Sequence, residues 1–417
     1  MKSIDDIVSG QLCSGCGACA GMHSDALEMA DVPGEGRRPR TKTGVSLNGQ
    51  LRDGVAVCPG VSLEHTYDRK QPGLIRELEA GWGPVLGLWE GHSTDPAIRH
   101  AGSSGGGVTA IALYMLERGD IHGVIHTAAR TDKPYLNETV LSRSRDELLA
   151  RTGSRYAPAS PAEGIPMIKA APKPCVFIGK PCDVAAIHKA RRIDPQLDAK
   201  LALTIGFFCA GTPSTDGTLA MLQRMGIDEP DRLVRLRYRG HGWPGKAMAV
   251  LRRDDGGEQT RELTYDVSWG EILTKHVQWR CRVCADHTGE FADVAVGDPW
   301  YRKPQPGEAG DSLVLARTAL GNRTIEQAMA AGHLVAEPRE PGILPASQPN
   351  LLHTRGSVWG RLLASRLVGA AAPRYRGLPM FRWWWRLPMR AKASSLLKSA
   401  RKLARQRRGQ STGAPNA

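Results

Sequence analysis

Eight of the chain's nine cysteines fall into two sets. The first is Cys13, Cys16 and Cys19 in the run C-S-G-C-G-A-C, followed 39 residues later by Cys58 before Pro59. The second is Cys182, Cys209, Cys281 and Cys284, spread over about a hundred residues. Soft, charged thiolates bind iron, and four hold a cubane cluster. The C-x2-C-x2-C run with a distant C-P is a bacterial-ferredoxin spacing with a displaced fourth ligand. Structural zinc also accepts four cysteines and is the alternative for this set. In the second set Cys281 and Cys284 form a C-x2-C pair, while Cys182 and Cys209 each follow an apolar strand. Strand C-terminal ends converge on the crevice of a parallel α/β sheet, so two such cysteines can meet a C-x2-C loop. The alternative is that they are buried small hydrophobes. Cys175, at the start of an apolar strand, reads as that alternative.

A chain of 417 residues, 41% apolar and 24% charged, has room for two or three globular domains. Met1 to Gln11 is polar and carries no signal-like apolar core, and no uncharged apolar run is long enough to span a bilayer. The expectation is a cytoplasmic protein, where clustered cysteines bind metal more often than they pair. From Pro341 onward there are fifteen Lys or Arg and no Asp or Glu. Since the whole chain is +14, residues 1–340 carry about −1, which argues against nucleic-acid binding by the body.

The periodicity predicts a mixed α/β fold in four parts. Residues 1–75 form a small ferredoxin-like segment too poor in apolar runs to build a core alone, with a connector over 61–84 rich in Gly and Pro. Residues 76–170 form the first part of an α/β body: a strand over 85–90, a Gly-rich loop over 101–107, a helix over 108–118 and a strand over 124–128. Residues 171–340 form the second part, with strands over 175–179 and 201–208, a helix over 183–190 capped by Asp183, a helix over 212–225, and a β-rich stretch over 231–265 turning at 254–257. Residues 341–417 form a basic tail. In it, Leu396, Leu397, Ala400, Leu403 and Ala404 fall on one helical face, with Lys398, Arg401, Lys402 and Arg405 nearby.

The loop A-G-S-S-G-G-G opens a helix, where small residues let the backbone approach a phosphate. It is neither a G-x-G-x-x-G fingerprint nor a Walker A loop, and a plain tight turn is the alternative to a nucleotide or flavin site.

Together with G-S-R-Y (153–156), G-K-P-C-D (179–183), F-F-C-A-G (207–211), C-R-V-C-A-D (281–286) and A-D-V-A-V-G-D-P-W (292–300), these motifs resemble the beta subunit family of coenzyme F420-reducing hydrogenase and F420-linked formate dehydrogenase. Relatives include 7-hydroxymethyl chlorophyll a reductase, and the likeness covers roughly residues 10–335. The resemblance implies an FAD and up to two 4Fe-4S clusters on the two cysteine sets. It carries Ser103, Ser104, Gly105, Gly106 and Thr109 over as flavin contacts and places Ser154, Arg155 and Tyr156 near the flavin. Lys180 becomes a candidate catalytic cation beside Cys182. Asp286, Asp293 and Asp298 match motif positions where capping is as good a role as catalysis.

The implied activity is an iron–sulfur flavoprotein oxidoreductase. It would take electrons from ferredoxin or another subunit and pass them to a small molecule or to F420. The alternatives are a non-catalytic electron-transfer subunit and a zinc-stabilised binding protein. The tail departs from the hydrogenase pattern and resembles that of bacterial homologues linked to surface-polysaccharide biosynthesis. Its Arg and consecutive Trp, over residues 374–408, suggest contact with an anionic membrane surface; a solvated or disordered basic tail and a nucleic-acid or protein partner are the alternatives.

Overall fold

A computed structural model describes residues 3–46, 51–305 and 307–412, with side chains described as far as Ala404. Arg405, one of the cations expected beside the tail's helical face, therefore lies outside the described side chains.

Both parts of the body contribute to a single eight-stranded sheet. Its strands in chain order are β1 (Gly87–Ser93), β2 (Gly123–Ala129), β3 (Asn137–Ser142), β4 (Cys175–Gly179), β5 (Leu201–Phe207), β6 (Val294–Gly297), β7 (Ser312–Ala316) and β8 (Leu334–Pro338). Across the sheet they run β8-β1-β7-β6-β5-β4-β2-β3. The four strands β6, β5, β4 and β2 are parallel, flanked by antiparallel partners. Continuous apolar runs such as C-V-F-I-G, buried at every position of β4, are what a strand covered on both faces requires. The C-terminal ends of β4, β5 and β6 therefore lie side by side, and they carry Lys180 and Cys182, Cys209, and Asp298.

The helices that matter for the site are α1 (Gly107–Glu117) after the Gly-rich loop and α2 (Pro181–Arg191) after β4. Asp183 is not the cap of α2. Lys180 holds that position, and Asp183, three residues on, accepts the Lys180 backbone N–H (2.9 Å). A separate three-stranded antiparallel sheet over residues 233–263 turns at Asp254–Gly257, with Gly256 at φ +83°. The helix expected from Thr212 begins at Thr215, after Pro213 bridges to Val277.

The connector over 61–84 is more ordered than its breakers suggest. Ser62–Glu64 pairs in parallel with Arg374–Arg376, and Arg76–Trp82 is a helix. The tail is folded as well, into α3 (Leu351–Leu367), α4 (Met380–Trp385) and α5 (Met389–Thr412). The N-terminal segment lies between body and tail: Ile7, Leu12 and Cys13 share a core with Trp279, Val358, Leu362 and Leu403. Packing thus supplies the core that residues 1–60 lack, at about 2 kcal/mol for each large apolar side chain buried.

The face that α5 buries overlaps the expected one at Leu403, with Leu396, Ala400 and Ala404 half-buried, but takes in two serines and leaves Leu397 out. Ser395, Ser399 and Leu403 point inward, while Leu397 is exposed. A Cβ on Gly360 of α3 would lie only 2.1 Å from Ser395 Oγ, so the helices meet through small residues. Glu290 ties the parts together. This fully buried carboxylate takes a hydrogen bond with His65 Nε2 (2.6 Å) from the N-terminal segment and one from Arg355 Nη1 of α3. Burial alone would raise its pKa, but Arg355 and His65 outweigh that and hold it from 4.5 down to about 2. That difference corresponds to about 3 kcal/mol, present above the ordinary pKa and lost as pH falls through the depressed one. Glu290→Gln should therefore cost about 3 kcal/mol at pH 7 in urea unfolding, and its deficit against the parent should shrink between pH 4.5 and 2. A deficit unchanged with pH over that range would refute the ion-pair account.

Candidate functional site

A cavity of about 650 Å³ lies at the strand ends, the volume of a cofactor site. Its lining includes both the Gly-rich loop with the start of α1 and Cys209 with His287. Ser103, Ser104, Gly106, Thr109, Ser154, Arg155, Tyr156 and Lys180 all line it. Gly105 instead backs onto Asp311, where a Cβ would meet the Asp311 Cα at 2.8 Å. With φ of +67° and +71°, Gly105 and Gly106 take the left-handed backbone that lets the chain enter α1. Ser103 Oγ and Ser154 Oγ are hydrogen-bonded (2.5 Å), joining the Gly-rich loop to the G-S-R-Y stretch.

The residue that organises the Gly-rich loop does not stand out in the sequence. Arg239 is 2% exposed, and each of its five N–H groups has an acceptor. Nε donates to Pro244 O (2.7 Å), Nη1 to Tyr156 OH (3.2 Å) and Asp298 Oδ2 (3.0 Å), and Nη2 to Ser103 O (2.8 Å) and Asp298 Oδ1 (2.9 Å). Its guanidinium also lies over Tyr265 (4.9 Å) and Trp300 (5.6 Å). Burial opposes the charge, but Asp298 outweighs it and raises the pKa, so Arg239 is a fixed cation. Arg239 follows the strand Leu233–Arg237 by two residues in the run R-L-R-Y-R-G, and nothing local tells it from the exposed Arg235 of the same run.

Arg155 is committed to the fold. It donates to Asn137 Oδ1 (2.7 Å) and to the carbonyls of Leu236 (2.8 Å), Pro134 (2.7 Å) and Leu136 (3.2 Å). Lys180 Nζ is 2.6 Å from Asp183 Oδ2, and both are buried. Burial favours the neutral amine, but Asp183 outweighs it and the pKa rises, the more so where Cys182 and Cys209 are thiolates. Lys180 thus presents a permanent positive charge rather than an exchangeable proton. Asp286 caps the turn of Thr288, Gly289 and Glu290, and Asp293 binds Thr204 and Thr318. Of the three motif aspartates, Asp298 lines the cavity.

The cysteines gather as two neighbouring groups. Cys19 is raised by burial and then by Cys13, Cys16 and Cys58, so the four sense one another. Cys16 is pushed up to about 12 by burial, then by Cys58. In the second group Cys209 is pushed up to about 12 by burial and then by Cys281, with Cys284 also contributing. Cys182 is raised by burial and feels both Cys209 and Cys16, which makes it the link between the groups. Cys175 is buried at the start of β4 and pushed up to about 11 by burial, with no other cysteine among the causes.

Among the described residues no three His, Cys, Asp or Glu side chains converge on one point as a single-ion site would need. Four ligands to a cubane cluster bind through the cluster's separate irons and need no such point. The surroundings fit such a group, since Ser14 Oγ, Trp279 Nε1 and Arg280 Nε, each next to a cysteine or within two residues of one, are buried without partners. The cavity likewise has two buried unpartnered groups in its lining, His287 Nε2 and Ser347 Oγ, as a polar cofactor would require.

Two family models match the chain. The one described as coenzyme F420 hydrogenase/dehydrogenase, beta subunit N-term, spans residues 88–165, and its counterpart for the C terminus of the same beta subunit spans 173–341. The beta subunit of coenzyme F420 hydrogenase from Methanosarcina barkeri is 27% identical over 275 residues, 62% of this chain and 87% of that protein. The F420-dependent formate dehydrogenase 1 beta subunit of Methanococcus maripaludis is 27% identical over 207 residues, 49% of this chain and 50% of its own. A chain in the F420-reducing [NiFe] hydrogenase complex from Methanosarcina barkeri shares the fold, with a TM-score of 0.51 at 22% identity, covering 67% of this chain and 93% of that one.

The geometry separates fold residues from ligand-facing ones. Arg155→Gln should cost about 3 kcal/mol in urea unfolding, because it strands buried carbonyls, while Ser154→Ala should cost less than about 1 kcal/mol. Equal losses would contradict this assignment.

Proposed function

The chain belongs to the coenzyme F420 hydrogenase/dehydrogenase beta subunit family, and on that premise we propose that it is an iron–sulfur flavoprotein oxidoreductase. In this reading Cys13, Cys16, Cys19 and Cys58 hold one 4Fe-4S cluster, Cys182, Cys209, Cys281 and Cys284 hold a second, and the cavity takes FAD. When bound, clusters carry single electrons and a flavin exchanges them for pairs, as a hydride transfer requires. The observation that carries the reading is continuity. The cavity is lined by both the Gly-rich loop and Cys209, and Cys182 senses both Cys209 and Cys16.

The chain's own residues have separable parts in this scheme. Ser103, Ser104, Gly106 and Thr109 present small groups and the start of α1 to an anionic moiety such as a pyrophosphate. Gly105 contributes the turn. Lys180 offers a fixed positive charge where negative charge accumulates on a reduced ring. Tyr156 and Arg239 hold the cavity wall in place. Ferredoxin or a companion subunit is the electron partner, and F420 or another reducible small molecule is the acceptor. A second reading, an electron-transfer subunit without its own substrate, is favoured by the relatives being named as subunits.

Anaerobic purification should yield about eight irons and about one FAD per chain. Cys16→Ser and Cys209→Ser should each lower iron to about four, and Cys175→Ser should leave it unchanged. A colourless protein carrying zinc would sink the reading. Reoxidation of the reduced flavin by F420 without another subunit would favour the enzyme over the electron-transfer subunit.

A further inference from the structure

The family match ends at residue 341, and everything after it is free of acidic residues. That region is not a loose appendage. The three consecutive tryptophans divide by role. Trp383 Nε1 donates to Ala80 O (2.9 Å), fastening α4 to the body. Trp384 Nε1 donates to Ser395 Oγ (3.2 Å) and packs on Trp359 (4.4 Å), fastening α4 to α5 and α3. Trp385 is 66% exposed, beside Phe381 at 50% (ring centroids 6.0 Å apart).

On α5 several positions depart from the usual distribution. Ser395 and Ser399 are buried, while Met389 is 75% and Leu397 54% exposed. Met389, Ala393 and Leu397 are four residues apart and all exposed, so they form one outward row. Lys392 Nζ lies 4.9 Å from the Trp385 ring centroid, which brings the α4 pair alongside the first turns of α5. Arg382, Arg386, Arg390 and Lys398 belong to the same two helices or the turn between them.

We infer that α4 and α5 seat the protein on an anionic phospholipid surface. Two properties must be met at once: apolar side chains facing outward, and cations without acids around them. Headgroup phosphates take the cations, and the interface takes Trp, Phe, Met and Leu. A nucleic-acid backbone would use the cations but leave the apolar row in water. A second copy docking through the same face would set cations against cations, because a two-fold interface pairs a patch with itself. No helix among the described residues is long and apolar enough to cross a membrane, so the contact is interfacial.

The test is co-sedimentation of the full chain with vesicles of phosphatidylcholine alone or with about 30% phosphatidylglycerol, at ~0.1 M salt. Binding to the anionic vesicles should be at least about tenfold stronger and should weaken as salt rises. The variant Trp385→Ser/Met389→Ser/Leu397→Ser, with an unchanged melting temperature, should lose about tenfold in binding. Failure to pellet with anionic vesicles overturns the proposal, as does a triple variant that binds as well as the parent. Tighter binding to duplex DNA than to vesicles would assign the surface to nucleic acid instead. A dimer in solution that the triple variant dissolves would assign it to a second copy. None of these outcomes depends on the iron or flavin content.

Discussion

A charge taken out of water must be paired or hydrogen-bonded, and this constraint holds the loops of the protein in place. The site is assembled from segments without regular backbone pairing, and buried arginines supply the missing cross-links. Arg239 gathers the Gly-rich loop, Tyr156, the 243–244 turn and Asp298. Arg317 binds the carbonyls of Trp82, Pro84 and Thr288. Arg355 reaches from α3 to Glu290 and Gly81. Each side chain converts the cost of its own burial into the position of two or three loops.

Arg280 does the same between the cysteine groups. It directly precedes Cys281, donates to Pro59 O (2.8 Å) beside Cys58, and donates to Tyr375 OH (3.1 Å). It is therefore within electrostatic reach of both groups: burial raises Cys13, Cys58 and Cys284, and Arg280 opposes part of that rise in each. Thiolates packed this closely repel one another, and a fixed cation between them offsets part of that repulsion. The same proximity explains why the N-terminal segment docks where it does. Its cysteines sit against α2 and the Trp279–Cys284 loop, not out on a linker.

What was legible in the sequence was local. Continuous apolar runs marked β4 and β5 to within a residue, and Asp254–Gly257 marked a hairpin, because burial on two faces and left-handed turns leave their own residue types. The position of Cys182 and Cys209 at strand ends was legible for the same reason. Pairing between distant segments was not. Ser62–Glu64 is three residues long, and its partner strand is Arg374–Arg376. Arg155 sits in a motif shared with the family, yet its guanidinium is spent on four protein acceptors. Arg239 belongs to none of the motifs and holds several of them together. Spacing identifies a side chain that repeats or clusters, but it does not reveal which one will be enclosed.

The tail shows the same limit from the other side. A helical face of Leu396, Leu397, Ala400, Leu403 and Ala404 is the natural core of an isolated amphipathic helix. Here the neighbour decides. Gly360 lets α3 approach α5 so closely that a Cβ on it would lie 2.1 Å from Ser395 Oγ. Such a contact admits serine and excludes leucine, so α5 turns until Ser395 and Ser399 face inward. Leu397 is then left outside by the geometry of the contact. Folding accounts for Trp383 and Trp384 through their hydrogen bonds and for one side of Phe381 through Trp359 (4.9 Å), but Trp385, Met389 and Leu397 remain largely exposed, and their exposure fits an apolar surface beyond the chain itself.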